Sequence, residues 1–97
     1  MRSYILVDVN IKEMEGFMDY ATRIPELIER HGGRYIVKGA EPEVIRDGDS
    51  IPQYAVVIEF PTTEAADGFI QERSKSELID VFNRSTTGRI LKVDGCL

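Results

Sequence analysis

An α+β domain of order β-α-β-β-α-β, with an antiparallel sheet and a second helix broken in two, is predicted by three observations. Four short apolar, β-branched runs near residues 4–9, 34–38, 54–60 and 89–93 read as strands. Two stretches with apolar residues every three or four positions lie between them, and a fresh capping pattern interrupts the second. In the two best strands both faces are apolar. At 97 residues the chain is too short to divide, so residues 1–97 are expected to form a single domain.

The first strand, residues 4–9, is stopped by Asn10, and Asn10-Ile11-Lys12-Glu13 has the spacing of a capping box that opens a helix. Met14, Phe17, Met18, Ala21, Ile24, Leu27 and Ile28 then form one stripe, while Asp19, Arg23, Glu26 and Arg30 face water. Pro25 should kink or divide this helix near Arg23-Ile24, and Gly32-Gly33 ends it. Residues 34–38 form the second strand, closed by Gly39. Residues 40–53 form a loop with a short extended piece at 43–46.

Residues 54–60, bounded by Pro52 and Pro61, are the clearest strand and should be central. Thr62 or Thr63 caps a helix presenting Ala65, Ala66, Phe69 and Ile70. Ser74-Lys75-Ser76-Glu77 restarts it, presenting Leu78, Ile79, Val81 and Phe82. Thr86-Thr87-Gly88 closes that helix, and residues 89–93 are the last strand. This order is the split βαβ of a ferredoxin-like fold, with both helices on one side of the sheet.

The faces carry the next inference. Tyr54, Val56, Ile58 and Phe60 belong under the helices with Ile5, Val7 and Val9. Ala55, Val57 and Glu59 lie opposite with Tyr4, Leu6 and Asp8. An antiparallel sheet with a wet face should alternate apolar with polar, and this one does not. The chain has no spare element to cover that face, so a second copy is the economical cover, and a homodimer closed into an α+β barrel is predicted.

Composition narrows the partners. Twelve Lys+Arg against 17 Asp+Glu give a net charge of −5, which repels phosphate backbones and anionic lipid, so nucleic acid is not expected. No apolar run reaches membrane length, and the start meets Asp8 too soon for a signal peptide, so neither membrane nor export is expected. Cys96 is the lone cysteine, which excludes a disulfide framework and suits a reducing cytoplasm.

Tyr20 with Pro25, the run His31-Gly32-Gly33-Arg34-Tyr35, and Val57-Ile58-Glu59-Phe60-Pro61 followed by Glu64-Ala65-Ala66 resemble the domain-of-unknown-function 1330 family over nearly the whole chain. The resemblance implies a ferredoxin-like subunit of the dimeric α+β barrel group, pairing through its sheet, and it carries no established activity. Two departures stand out. The tryptophan common ahead of the proline entering the third strand is missing at Ser50-Ile51-Pro52. The tyrosine and arginine usual in the last helix fall on Lys75 and Phe82, with Arg84 close by. A pocket of altered size and charge is implied.

Four residues are candidate ligand contacts: Tyr20, His31, Arg34 and Glu59. His31 is the only histidine, fit for proton transfer at a cleft mouth or for satisfying carbonyls at a helix end. Gly32-Gly33 can cradle an anion or serve as a C-cap. Arg34 can fork a carboxylate or pair with Asp8 or Glu59. Glu59 interrupts an apolar strand and, if covered, must be paired or protonated; at a rim it stays wet. Tyr20 and Tyr35 aim a hydroxyl into a cleft or anchor the core. The acids Glu41, Glu43, Asp47 and Asp49 are too irregular for a calcium loop and read as solvated. No nucleophile triad, paired-histidine zinc motif or nucleotide fingerprint is present, and no cofactor or metal is expected. Two functions remain open: a barrel binding or transforming a small organic molecule in its helix–sheet cleft, or a non-enzymatic dimeric binding or assembly module.

Overall fold

A computed structural model describes residues 1–46, 48 and 51–97. The elements are β1 (Ser3–Ile11), α1 (Met14–Arg30), β2 (Arg34–Ala40), β3 (Tyr54–Phe60), α2 (Thr63–Lys75), α3 (Leu78–Ser85) and β4 (Thr86–Asp94). The four strands form one antiparallel sheet ordered β2-β3-β1-β4, with β3 central as predicted and β1 beside it. This is the ferredoxin-like arrangement, and the helices cover one face only. Ile5, Val9, Ile58 and Phe60 rise from the sheet into a core completed by Ile24 and Ile28 of α1, Phe69 of α2 and Phe82 of α3.

The entry to α1 differs from the capping-box expectation. Asn10 stays in β1, because the ladder to β4 continues to the Ile11 and Thr86 pair and outcompetes a cap. The backbone N–H groups of Lys12 and Glu13 instead reach the Ser85 carbonyl at the end of α3, at 2.7 and 3.2 Å. The buried stripe of α1 is Phe17, Tyr20, Ile24 and Ile28, whereas Met14 and Met18 are 58% and 51% exposed and outside the core. Tyr20 takes the place expected of Met18 because its hydroxyl finds a partner in the half-buried Arg73. Pro25 does not divide the helix; it lacks only the N–H that would have bonded the Ala21 carbonyl, while Ile24 and Ile28 stay packed on the sheet.

The end of α1 follows the glycine reading. Gly32 has φ +78°, the Gly32 N–H meets the Glu29 carbonyl at 3.0 Å, and the Gly33 N–H meets the Ile28 carbonyl at 2.9 Å, which completes a Schellman cap. Gly39 does not close β2 but bends it inside the strand. At φ +77° it makes a bulge, and a Cβ there would meet the Tyr54 hydroxyl at 2.4 Å. No strand forms at 43–46, and Glu41 and Glu43 are exposed; Asp47, Asp49 and Ser50 lie outside the described residues.

Thr62 caps α2 by accepting from the Ala65 N–H at 3.0 Å. The break after α2 is present, but Ser76 rather than Ser74 makes it, accepting from the Leu78 N–H at 3.1 Å while Ser74 turns back to the Gln71 carbonyl. Thr86 and Thr87 already belong to β4. The Thr86 hydroxyl donates to the Phe82 carbonyl at 2.8 Å, so helix end and strand start share one residue.

Candidate functional site

Between the helices and the sheet, α1 contributes Tyr20 and the last turn of α2 contributes Arg73. The spacing Ala66, Phe69, Arg73 explains the second placement: steps of three and four put all three on the side of α2 that faces the sheet. Arg73 Nε donates to the Tyr20 hydroxyl at 2.9 Å. The guanidinium carbon lies 5.6 Å from the Tyr20 ring centre and 5.0 Å from that of Phe82, both within cation–π range. Burial pushes the Tyr20 phenol above its ordinary pKa while the neighbouring Arg73 charge and hydrogen bond pull it down, and burial prevails. The hydroxyl is therefore neutral near pH 7. Arg73 Nη2 is buried and has no hydrogen-bond partner among the described residues.

Tyr20 divides the space beneath the helices. On one side a cavity of about 290 Å³ has Val7 and Ile58 as its floor, Phe69, Ile70 and Arg73 as its roof, and Ile90, Leu91 and Lys92 at the β4 edge. On the other a narrow gap of about 60 Å³ reaches Tyr35 and Lys38. There Lys38 Nζ stands 5.0 Å over the Tyr35 ring, and burial drives the Tyr35 phenol up to about 12. A larger hollow of about 800 Å³ lies by Asp8, Asn10 and Arg89, and none of the four candidate residues borders it.

The four candidates fall in three places. Only Tyr20 lines the cleft. His31 is the C-cap residue of α1, and its Nε2 lies 2.7 Å from Glu72 Oε1 of α2, with Arg30 on the same carboxylate. The His31 hydrogen bond is the main reason that Glu72 sits below the usual carboxylate range. This is a helix-to-helix tie, made by a partner 41 residues away that sequence proximity does not reveal.

Arg34 and Glu59 meet on the helix-free face. Nε and Nη2 of Arg34 lie 2.9 and 2.8 Å from Glu59 Oε1, and the Tyr4 hydroxyl donates to Oε2 at 3.1 Å. Glu59 is only 14% exposed and is held below the usual carboxylate range, chiefly by the Arg34 hydrogen bond. Of the two alternatives for a covered acid, paired and ionised is the one realised. Asp8 pairs instead with Arg89 at 3.4 Å.

Two residues escape a reading by type alone. Arg73 was legible only as a polar residue on a buried stripe. Arg84, close in sequence to the position of the arginine usual in the family's last helix, is exposed on α3 and borders neither cleft cavity. The arrangement can hold a small molecule against apolar walls and offer it polar hydrogens. Among the described residues no three His, Cys, Asp or Glu converge as for a metal, and no helix is long and apolar enough to cross a membrane.

Comparison with known proteins matches residues 2–96 to the family described as Domain of unknown function (DUF1330). No curated protein matches. Among solved structures, RPA0582, a protein of unknown function from Rhodopseudomonas palustris, is 15% identical with a TM-score of 0.80, over 99% of this chain and 83% of that one. SnoaB, a cofactor-independent oxygenase from Streptomyces nogalater, is 10% identical with a TM-score of 0.68, over 99% and 94%. The de novo designed protein Foldit4 is 11% identical with a TM-score of 0.63, over 98% and 99%. A designed chain and an oxygenase sharing one backbone plan show that the likeness is one of fold.

Proposed function

The chain belongs to the DUF1330 family, and from that premise we propose that it is a homodimer that holds a small organic molecule in its helix–sheet cleft. The observation that carries the reading is the cleft of about 290 Å³ between helices and sheet, open toward the β4 edge, apolar on most sides and with Tyr20 and Arg73 in its wall. Close packing is the norm beneath helices, and a hollow with convergent polar groups is the signature of a ligand site.

The pairing supports a shared barrel. On the helix-free face Leu6 sits between Val57 and Leu91 in register, Val37 lies beyond Val57, and Val93 lies beside Tyr4. Leu91 and Val93 are 42% and 43% exposed, a grease stripe that a twin subunit would bury. Glu59 and Arg34 are paired with each other and His31 is hydrogen-bonded to Glu72, all outside the cleft, which favours binding over acid–base chemistry and keeps a non-enzymatic module as the second reading.

A thermal-shift screen of small aromatic and aliphatic compounds tests it. Binders should raise the melting temperature, Ile70→Trp, which fills the cleft from its rim, should abolish the rise, and His31→Ala should leave it intact. No shift with any compound at millimolar concentration would transfer the weight to the non-enzymatic module.

A further inference from the structure

This step rests on a ligand occupying the cleft: we infer that the ligand is a carboxylic acid with a small apolar body, received by Arg73 Nη2 and the Tyr20 hydroxyl. Three observations converge. Nη2 is a buried cationic N–H group with no acceptor among the described residues, an arrangement that costs more than any neutral orphan donor. Nε and Nη2 form one edge of the guanidinium fork, and Nε already rests on the Tyr20 oxygen. Because that oxygen accepts from Arg73, the phenol's own hydrogen is left to donate, and no acceptor for it occurs among the described hydrogen bonds. Both groups belong to residues in the cavity wall, so a slight turn of the Arg73 side chain, whose Nη2 is out of reach of solvent as it stands, would bring the two donors to the two oxygens of one carboxylate.

The charge of the wall agrees. In a chain of net charge −5, the only ionisable residues lining the cavity among the described residues, besides Tyr20, are the cations Arg73 and Lys92. Lys92 is half committed, with Nζ 2.8 Å from Asp67 Oδ1 and 3.0 Å from Thr63 Oγ1, which leaves Arg73 as the primary anchor. The rest of the wall is Ile, Val, Leu and Phe, and a volume of about 290 Å³ lies at the small end of ligand sites, about 300 Å³ upward. A compact aromatic or short branched acid matches both features.

The test compares acids with their isosteric amides on the full-length protein by calorimetric titration: benzoate with benzamide, phenylacetate with phenylacetamide, isovalerate with isovaleramide. Each acid should bind roughly ten- to hundredfold more tightly than its amide, the worth of a hydrogen bond to a charged group. Arg73→Gln should erase that preference while leaving amide binding in place, and Arg73→Lys should keep part of it. Amides equal to acids, or a preference that survives Arg73→Gln, would overturn the acid assignment and leave cleft binding standing. If no member of either series binds, the cleft reading itself falls, and this assignment with it. Should Arg73→Gln fail to fold, the acid-to-amide ratio of the unaltered protein decides alone, since it needs no variant.

Discussion

Val57→Asp probes the assembly most directly. Val57 sits at the middle of the helix-free face, paired with Leu6 on one side and Val37 on the other. Its side chain points away from the helix-packed core, so the protomer can keep its fold with a carboxylate there. In a two-fold dimer the same substitution enters the interface twice. An uncompensated buried charge costs about 3–5 kcal/mol, so two copies cost at least about 6 kcal/mol, or roughly four decades in Kd. Sedimentation velocity at micromolar concentration should therefore report about twice the 11.0 kDa protomer mass for the unaltered chain and a single protomer for Val57→Asp. Far-UV circular dichroism should be the same for both, and Met18→Asp, on the exposed side of α1, should leave the mass unchanged. An unaltered chain that sediments as a lone protomer, or a Val57→Asp variant that stays paired, would refute the covered-face reasoning.

Acid should weaken the protein through Glu59, Glu72 and Asp94. Their folded pKa values lie below the unfolded ones, so their stabilisation is present above the ordinary carboxylate range and disappears as pH falls through the folded values. Melting temperature should be level near neutrality and fall below about pH 4.5, with a shallower fall in Glu59→Gln; an equal fall in that variant would count against the Arg34 and Tyr4 pairing. At the alkaline end the sign reverses. Tyr20 and Tyr35 are raised, Tyr35 to about 12, so the fold prefers the protonated phenols and stability should decline from pH 10 toward 12. Phenolate absorbance should lag the ordinary tyrosine curve until unfolding, and all four phenols titrating near 10 in a folded protein would contradict it. Gly88 has φ +128° and a Cβ there would stand 2.3 Å from the Asp8 carbonyl oxygen, so Gly88→Ala should cost about 3 kcal/mol, roughly 12–24 °C in melting temperature by calorimetry.

Local chemistry wrote most of the fold into the sequence. Proline and glycine punctuation fixed β3 between Pro52 and Pro61 and the cap at Gly32, and periodicity fixed the element order, because these depend on neighbours within a few residues. The assignment of side chains to faces also held: the period of two sent Ile58 and Phe60 into the core and left Val57 and Glu59 opposite. Where local signals lost, a distant partner had outbid them. Asn10 gave up its cap because Thr87 stood across the ladder, and Met18 gave up the core because Tyr20 could bury its hydroxyl on Arg73.

The site was the less legible part for the same reason. His31 and Glu72 are 41 residues apart, Arg34 and Glu59 are 25, and Tyr20 and Arg73 are 53. Residue type could nominate Tyr20, yet the guanidinium within a helical turn of it, Arg23, is engaged with Asp19 and Glu77, and nothing local announces Arg73. Sequence determined which side chains each element presents, since that follows from periodicity along one segment. Tertiary structure alone decided which of them meet, because a charge or a phenol takes its character from whatever the fold packs against it.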